Sequence, residues 1–388
     1  MFIEKIELFH FRNYEKLSLQ PHPGINIFFG RNGSGKTNLL EAVHYCSLGK
    51  SHRISQDVNA VMKGEEGAVC RIQLRGKYSR NSVEVRLRPG EDSVKTVLID
   101  QKKVSRLQEM MGVLRCVIFS PEDLNLIREG PSVRRKFVDM MISQISRPYF
   151  VALQQYRTAL NQRNMLLKTA RAENGRVSPV IEDFEKAMEE HGKLICQERS
   201  RYIRMISEMG NEIYRRISGQ EGENFQVRYR PSVAPDPEGA FPLAETLRQK
   251  REEDLRFGTT SAGPHRDELE LKLNGQQIRL YASQGQMRTA SLSLKLAQLR
   301  MISEITRDQP VLLLDDVMSE LDLERRMNLL RIIENTQTFV TCSDEGDLAA
   351  WQNNRTYRVD NREGKASLEE IKSGAPLVFR ESEDPIFE

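Results

Sequence analysis

No run of apolar residues in this chain approaches the roughly 18 that a membrane-crossing helix needs. The first residues, Met1-Phe2-Ile3-Glu4-Lys5-Ile6-Glu7-Leu8, lack the basic stretch and apolar centre of a secretory leader and alternate like a strand instead. Cysteine is sparse. Cys46, Cys70, Cys116, Cys196 and Cys342 are odd in number, scattered and without metal-ligand spacing. A disulfide framework and a zinc site are thereby disfavoured, and reduced thiols in a cytoplasmic protein are the plain expectation. Internal repeats, low-complexity tracts and base-reading patterns such as a helix-turn-helix or zinc finger are missing as well.

An excess of one charge is also lacking. The chain has 58 Lys and Arg against 55 Asp and Glu, a formal +3 that does not announce a nucleic-acid binder. The distribution says more. From Pro131 to Ser218, 16 Lys and Arg stand against 10 Asp and Glu, and a local basic field attracts phosphate backbones. Solvated helix faces carry such excesses too. With 388 residues, 29% of them charged, and a mean hydropathy of -0.54, the chain suits one large α/β domain plus a second unit.

What is present begins with Gly30-Arg31-Asn32-Gly33-Ser34-Gly35-Lys36-Thr37, which fits G-x-x-x-x-G-K-[ST]. Gly24 to Phe29 before it reads as a buried strand, and Asn38 to Val43 after it as the start of a helix. That context is what a Walker A loop requires. Glycines let successive N–H groups curl around a polyphosphate, and the helix N-terminus adds partial positive charge. Lys36 would reach the β- and γ-phosphates of ATP, and the Thr37 hydroxyl would ligate Mg²⁺.

Strand-like alternation continues through Val69–Arg75 and Ser82–Arg88. At Pro131 the texture changes. Arg134–Ser146, Tyr149–Ala172 and Pro179–Ile217 carry apolar residues at three- and four-residue spacing and read as long helices. Strands return at Phe225–Tyr229 and Leu269–Leu273, the latter followed by an Asn274-Gly275 hairpin turn. A helix is expected from Met287 to Thr306, and the charged tail after Ser373 is expected to be loosely ordered.

Val311-Leu312-Leu313-Leu314-Asp315-Asp316 is a buried-strand pattern ending in two carboxylates, the Walker B form. Asp315 would hold Mg²⁺ through water, and Asp316 sits where a general base for the attacking water is needed. The helical block is therefore an insertion into a chain whose two ends share a sheet. Residues 1–130 and 219–388 would form the ATPase head, and 131–218 the helical lobe.

Ala282-Ser283-Gln284-Gly285-Gln286 resembles the ABC-ATPase signature Leu-Ser-Gly-Gly-Gln, and Ser319-Glu320-Leu321-Asp322 resembles that superfamily's D-loop. Phe119 to Leu124, running on through Gly130-Pro131-Ser132 to Phe137, and Leu313 to Asp322 look like the two signatures of the RecF family. Phe11-Arg12-Asn13-Tyr14, Gly49-Lys50-Ser51-His52-Arg53 and Gly263-Pro264-His265-Arg266-Asp267 match that family too. The likeness runs from residue 1 to about Thr341. It implies a P-loop ABC-type, SMC-like α/β ATPase head with an inserted helical lobe, too short for a long coiled coil. It further implies that ATP joins two chains into a homodimer, with Ser283, Gly285 and Gln286 of one facing the phosphates held by the other. The dimer would grip double-stranded and gapped DNA, hydrolyse ATP slowly, and work with RecO and RecR to load RecA.

Departures from the superfamily accompany the likeness. Asp316 replaces the usual Glu, the strand at Phe339 ends in Ser343 without a following His, and no Q-loop glutamine is evident; Glu122 and Asp123 stand in that region. Arg12 is read equally as a residue over the nucleotide or as a surface residue at a strand end, and Asn38 joins the loop residues as a nucleotide contact. Lys50, Arg53, Arg134, Arg135, Arg157 and Arg163 are the candidate DNA contacts, with ordinary solvated charge as the competing reading. The His265–Asp267 cluster reads as a turn bracing the signature helix, and Met140, Met141 and Met165 as packing core. The alternatives are an ABC subunit of a transporter or SMC-type assembly, a nuclease-fused head and an ATP-binding DNA scaffold. A nuclease domain has fewer than fifty residues left to it past Thr341.

Overall fold

The computed structural model describes residues 1–51, 53–54, 56–90, 94–173, 177–236, 239–333, 335–343 and 354–371. His52 and the tail after Ser373, both singled out above, lie outside the described residues. The chain opens with β1 (Phe2–Phe11) and β2 (Tyr14–Leu19), an antiparallel pair. After β3 (Ile25–Phe29) and α1 (Lys36–Leu48), β4 (Ala68–Arg75), β5 (Arg80–Leu87), β6 (Lys95–Ile99) and β7 (Lys102–Lys103) return to the first pair. The sheet order is β2-β1-β4-β5-β6-β7. Alternation places Ile6, Leu8, Cys70, Ile72, Val83 and Val85 on one buried face.

β8 (Cys116–Phe119) belongs to a second sheet, and α2 (Asn125–Arg128), α3 (Pro131–Ser143), α4 (Arg147–Ala172) and α5 (Ile181–Ser218) follow it. Prolines at the starts of α3 and α4 fall in the first turn, where a missing N–H costs nothing. The Ser146 hydroxyl caps α4, and Gly219 closes α5 in the left-handed region. Next come β9 (Phe225–Arg230), α6 (Leu243–Gln249), α7 (Arg251–Phe257), β10 (Glu268–Leu273) and β11 (Gln276–Gln277). Asn274 and Gly275, both at positive φ, make the expected hairpin turn of this small sheet, β11-β10-β9. α8 (Ile278–Tyr281), α9 (Gln284–Thr306), β12 (Val311–Asp315), α10 (Leu323–Ile333) and β13 (Thr338–Cys342) complete the motif-bearing part.

A hairpin of β14 (Asn354–Arg362) and β15 (Lys365–Ile371) extends the second sheet beyond the span of the motifs, giving the order β15-β14-β3-β13-β12-β8. Its strands are mostly polar, so apolar periodicity is a weak guide to them. Glu363 and Gly364 at positive φ turn the hairpin, and Tyr357 and Val359 anchor it in the core.

β14, β3, β13, β12 and β8 run parallel, and the last three are buried on both faces as such strands are. Along β12, Val311 and Leu313 face the core shared with α1 and the first sheet, while Leu312 and Leu314 face the core shared with α5 and α9. α1 is thus held between the two large sheets, and β3 and β12 deliver their C-terminal ends to its N-terminus. That convergence positions the site.

Two expectations fail inside the helical block. Met165 is 59% exposed, so it is no part of the core. Arg163 is wholly buried and cannot reach DNA. Its guanidinium donates to Glu185 (3.1 Å), Asp254 (2.7 Å) and the Thr260 hydroxyl (2.9 Å), tying α4 to α5 and α7. A desolvated arginine survives only with such partners, and these partners need it equally. Arg163→Met is expected to lower stability by about 3–5 kcal/mol, since it leaves the buried Asp254 without its arginine and Glu185 with Arg251 alone. Chemical denaturation measures this, and a loss within error would show that the cluster relaxes.

The Gly263–Asp267 turn braces the helical block and not the signature helix. Asp267 accepts from Arg199 on α5 (2.7 Å) and from the Ser232 N–H (2.8 Å), and Tyr229 also donates to it. His265 meets the Tyr156 hydroxyl on α4 at 2.7 Å, and burial pushes its pKa down to about 4. It is a neutral packing element.

Candidate nucleotide-binding site

The loop between β3 and α1 has the conformation that its glycines predict. A Cβ on Gly30 would collide with the Val359 carbonyl on β14, and Gly33 and Gly35 take φ of 79° and 119°. The loop's outward carbonyls are tied down by two side-chain amides and a hydroxyl from elsewhere in the chain. Asn13 donates to the Ser34 carbonyl (3.1 Å), Asn361 to that of Gly33 (3.0 Å), and the Tyr14 hydroxyl to that of Gly35 (3.2 Å). Asn38 in turn donates to Asn13 (2.8 Å). Carbonyls held outward leave the N–H groups for an anion.

Lys36, 7% exposed, folds back over the loop. Its amine donates to the carbonyls of Gly30 and Arg31 (3.0 Å to the latter) and to the Ser343 hydroxyl (3.3 Å). Burial lowers its pKa, and the nearby Asp316 and Asp315 oppose that shift. Ser343 also donates to Asn32 (2.9 Å), so the residue standing where the superfamily has histidine is wired into the loop. The Ser34 hydroxyl is buried with no hydrogen-bond partner among the described residues. An acceptor-rich phosphate fits there.

Asp315 ends β12 beside Thr37. The hydroxyls of Thr37 and Thr341 both donate to its Oδ1 at 2.8 Å, collecting three hard oxygen ligands in one place. Among the described residues no group of three or more His, Cys, Asp or Glu is placed to hold a metal. The donor set suits Mg²⁺, which is commonly shared between one or two carboxylates and substrate phosphates. Asp316 follows at φ 53°, a conformation rare outside glycine, with its N–H on the Thr341 hydroxyl (2.9 Å). The turn swings its side chain away from the strand and onto the cleft. That cleft, of about 150 Å³, is lined by Asn32–Asn38, Asp315, Asp316, Thr341, Ser343 and Arg53.

Arg53, proposed from sequence as a DNA contact, therefore belongs to this cleft, with its guanidinium on Asn38 (3.2 Å) and near Glu41 (3.7 Å). Arg12 stands one layer behind. Its guanidinium grips the fully buried Glu41 of α1 through two bonds of 2.9 and 3.0 Å, and it does not line the cleft. Arg31 is exposed at the rim. Glu122 is exposed and Asp123 is paired with Lys295 (2.7 Å); neither lines the cleft. Sequence reading missed Asn13, Thr341, Ser343 and Asn361, because single polar residues at strand ends carry no local signal of what they meet.

The signature segment forms a capped helix start. Ser283 accepts from the Gln286 N–H (3.2 Å), and Gln286 accepts from the Ser283 N–H (2.9 Å), a capping box that begins α9. Ser283 is exposed, Gly285 lies against Arg325, and Ser283, Gly285 and Gln286 all stand outside the cleft that contains Lys36.

Of the remaining basic candidates, Arg134 is spent on Glu268 (2.9 Å) and Arg135 donates to the Asp267 carbonyl (2.7 Å). Arg157 is 57% exposed although it touches Asp139, and Lys50 is exposed. Burial, then the charges of Lys136 and Arg157, lower the Lys50 pKa, and Lys136 and Arg157 line one pocket.

Residues 2–367 match the RecF/RecN/SMC N terminal domain family. The DNA replication and repair protein RecF of Clostridium novyi (strain NT) is 38% identical over 341 residues, 88% of this chain and 92% of that protein. The protein of the same description from Lachnoclostridium phytofermentans is 39% identical over 355 residues, 92% of this chain and 95% of that one. The chain belongs to the RecF family. A solved structure described as the recombination mediator protein RecF-ATP in the RecFOR pathway superposes with TM-score 0.86 at 33% identity, covering 95% of this chain and 97% of that one. An Smc head domain from Pyrococcus furiosus, at TM-score 0.56 and 18% identity, shares the fold and covers 95% of this chain and 96% of its own. RecF-family membership thus spans both large sheets and the inserted helices, and among the described residues no helix is long and apolar enough to cross a membrane.

Proposed function

We propose that this chain is an ATP-dependent DNA clamp of recombinational repair, acting in the cytoplasm. The observation that carries the reading is a divided site. The P-loop, Thr37, Asp315 and Asp316 converge on one cleft, while the signature residues, with Ser283 exposed, stand elsewhere on the same chain. ATP would bind with its phosphates on residues Gly30 to Asn38, and Mg²⁺ would be held by Thr37 and Asp315. Ser283, Gly285 and Gln286 of a second copy would close over the γ-phosphate, giving a symmetric homodimer. Arg12 would support the cleft through Glu41, and Arg53 would reach the nucleotide directly.

Asp316 is the proposed base for the attacking water. Its side chain is one methylene shorter than glutamate's, and Ser343 stands where the superfamily usually has a histidine. Slow turnover suits a timed clamp better than a motor. Asp316→Asn should keep ATP binding and prolong the ATP-bound dimer while hydrolysis falls at least about a hundredfold, the contribution typical of a general base. Phosphate release measures it, and a wild-type rate moves the base elsewhere.

Double-stranded and gapped DNA would contact the patch of Lys50, Lys136 and Arg157. Contacts of this kind are to phosphates, without base reading, and weaken steeply with salt. RecO and RecR would then act with the DNA-bound dimer in loading RecA. Gel shifts of duplex and gapped DNA with ATP, with ADP and without nucleotide, run beside sedimentation, test the whole reading. ATP-specific dimers with raised DNA affinity are expected. Monomers that bind DNA equally in all three conditions would reduce the chain to a scaffold.

A further inference from the structure

An open groove of about 870 Å³ runs between α5 and β9 and shares no residue with the nucleotide cleft. Arg201 and Arg204 rise from α5 on one side, and Arg228 and Arg230 from β9 on the other, all exposed. Glu208 is the one acid among its lining residues. The arginines are only lightly engaged. Arg230 meets Glu270 at 3.2 Å, Arg228 donates to Gln226 at 3.2 Å, and Arg201 lies over the Tyr202 ring. Between these walls the floor is apolar, with buried Ile203 and Val227 and half-buried Met205.

β9 is the edge strand of its sheet. Its Phe225 and Val227 N–H groups point away from β10 and are received by Asn211 (2.9 Å) and the Ser207 hydroxyl (3.0 Å) of α5. Backbone groups alternate along an antiparallel strand. The same parity turns the Tyr229 N–H and carbonyl outward too, at the part of the edge that lines the groove.

We propose that this groove docks an extended acidic segment of a partner protein, seated between α5 and β9 and meeting the strand edge at Tyr229, the part that α5 leaves open. Carboxylates would pair with the four arginines, whose planar guanidinium groups match them two bonds at a time. An apolar side chain of the segment would sit on the Ile203–Val227 floor. Main-chain pairing at Tyr229 adds affinity, and the alternate side chains of the segment supply specificity. The α5 stretch that lines the groove, Cys196 to Glu208, spans about 18 Å at a helical rise, room for five or six extended residues. A nucleic-acid backbone would use the arginines but neither the apolar floor nor the strand edge, so a peptide is the better match. The inference does not depend on the nucleotide reading.

The test uses the full chain and a fluorescein-labelled peptide, Asp-Glu-Leu-Glu-Phe-Asp-Glu, in an anisotropy titration at low salt. Three comparisons accompany it: the peptide with Gly for Leu and Phe, the peptide N-methylated at alternate amides, and a duplex oligonucleotide. The paired substitution Arg204→Glu with Arg228→Glu should weaken peptide binding at least about tenfold, since each lost charged hydrogen bond alone is worth that order. Both altered peptides should bind more weakly to the unsubstituted protein. Nucleotide affinity and the thermal midpoint should stay unchanged. If the paired change lowers the midpoint, Arg201→Gln with Arg204→Gln on exposed α5 positions gives the same reading without charge reversal. Absence of peptide binding, or binding indifferent to the arginines, overturns the proposal. Loss of duplex affinity without loss of peptide affinity overturns it in favour of a phosphate-binding groove.

Discussion

Lys36→Met is expected to abolish tight ATP binding and everything that depends on it. The lysine amine lies over the loop on the carbonyls of Gly30 and Arg31, 3.0 Å from the second, with Ser343 at 3.3 Å. Methionine keeps much of the side chain's length and apolar packing but brings no donor. The β- and γ-phosphates then lose a charged hydrogen bond, worth about 1.5–3 kcal/mol, so affinity should fall at least about tenfold. Dimers and ATP-stimulated DNA binding should disappear together, because both are downstream of the same contact. Titration with a fluorescent ATP analogue measures the loss, with circular dichroism to confirm the fold. Unchanged affinity would remove the phosphate-binding role from this loop.

Ser283→Arg should have an equally large effect by a different route. Gly30 to Thr37 build the pocket within one chain, so ATP binding by the monomer should remain nearly intact. An arginine at the start of α9 would instead obstruct closure between two copies and remove ATP-stimulated DNA binding. The substitution also deletes the Ser283 cap on Gln286, a cost of about 1 kcal/mol that a thermal midpoint will register. Mixing an excess of Ser283→Arg with Lys36→Met separates these effects. A mixed dimer has one site carrying both changes and one site with native Lys36 and native Ser283. That intact site should restore part of the ATPase activity, although each variant alone is inactive. Heterodimers without recovery, or loss of monomer ATP binding in Ser283→Arg, would refute the shared-site arrangement.

The Walker motifs were legible because their chemistry is local. Gly33 and Gly35 answer to the backbone of one loop, and Val311 to Asp315 form a strand buried on both faces whose apolar run is continuous. The long helices were legible for a related reason. Their periodicity repeats over many turns, and their start signals at Pro131, Ser146 and Pro148 act within one turn. The β14–β15 hairpin was not legible. Its strands are mostly polar because β15 is an edge and β14 contributes only Tyr357 and Val359 to the core, yet the Val359 carbonyl is what forbids a side chain at Gly30.

Charged residues divide in the same way. Arg53, Arg134, Arg157 and Arg163 look alike in the sequence, the last three in one basic stretch. In the structure one lines the nucleotide cleft, one is paired to Glu268, one is exposed and one is sealed in the core. An arginine's role depends on which carboxylates reach it. For Arg163 those are Glu185 and Asp254, the latter on the far side of a long chain excursion. Sequence by itself determined the phosphate loop, the paired carboxylates, the inserted helices and the family. Tertiary structure decided which polar side chains brace the loop, which cations remain exposed, and that the signature stands apart from its own chain's cleft. Backbone conformation is set mainly by neighbours in sequence, whereas desolvation and ion pairing are set by neighbours in space.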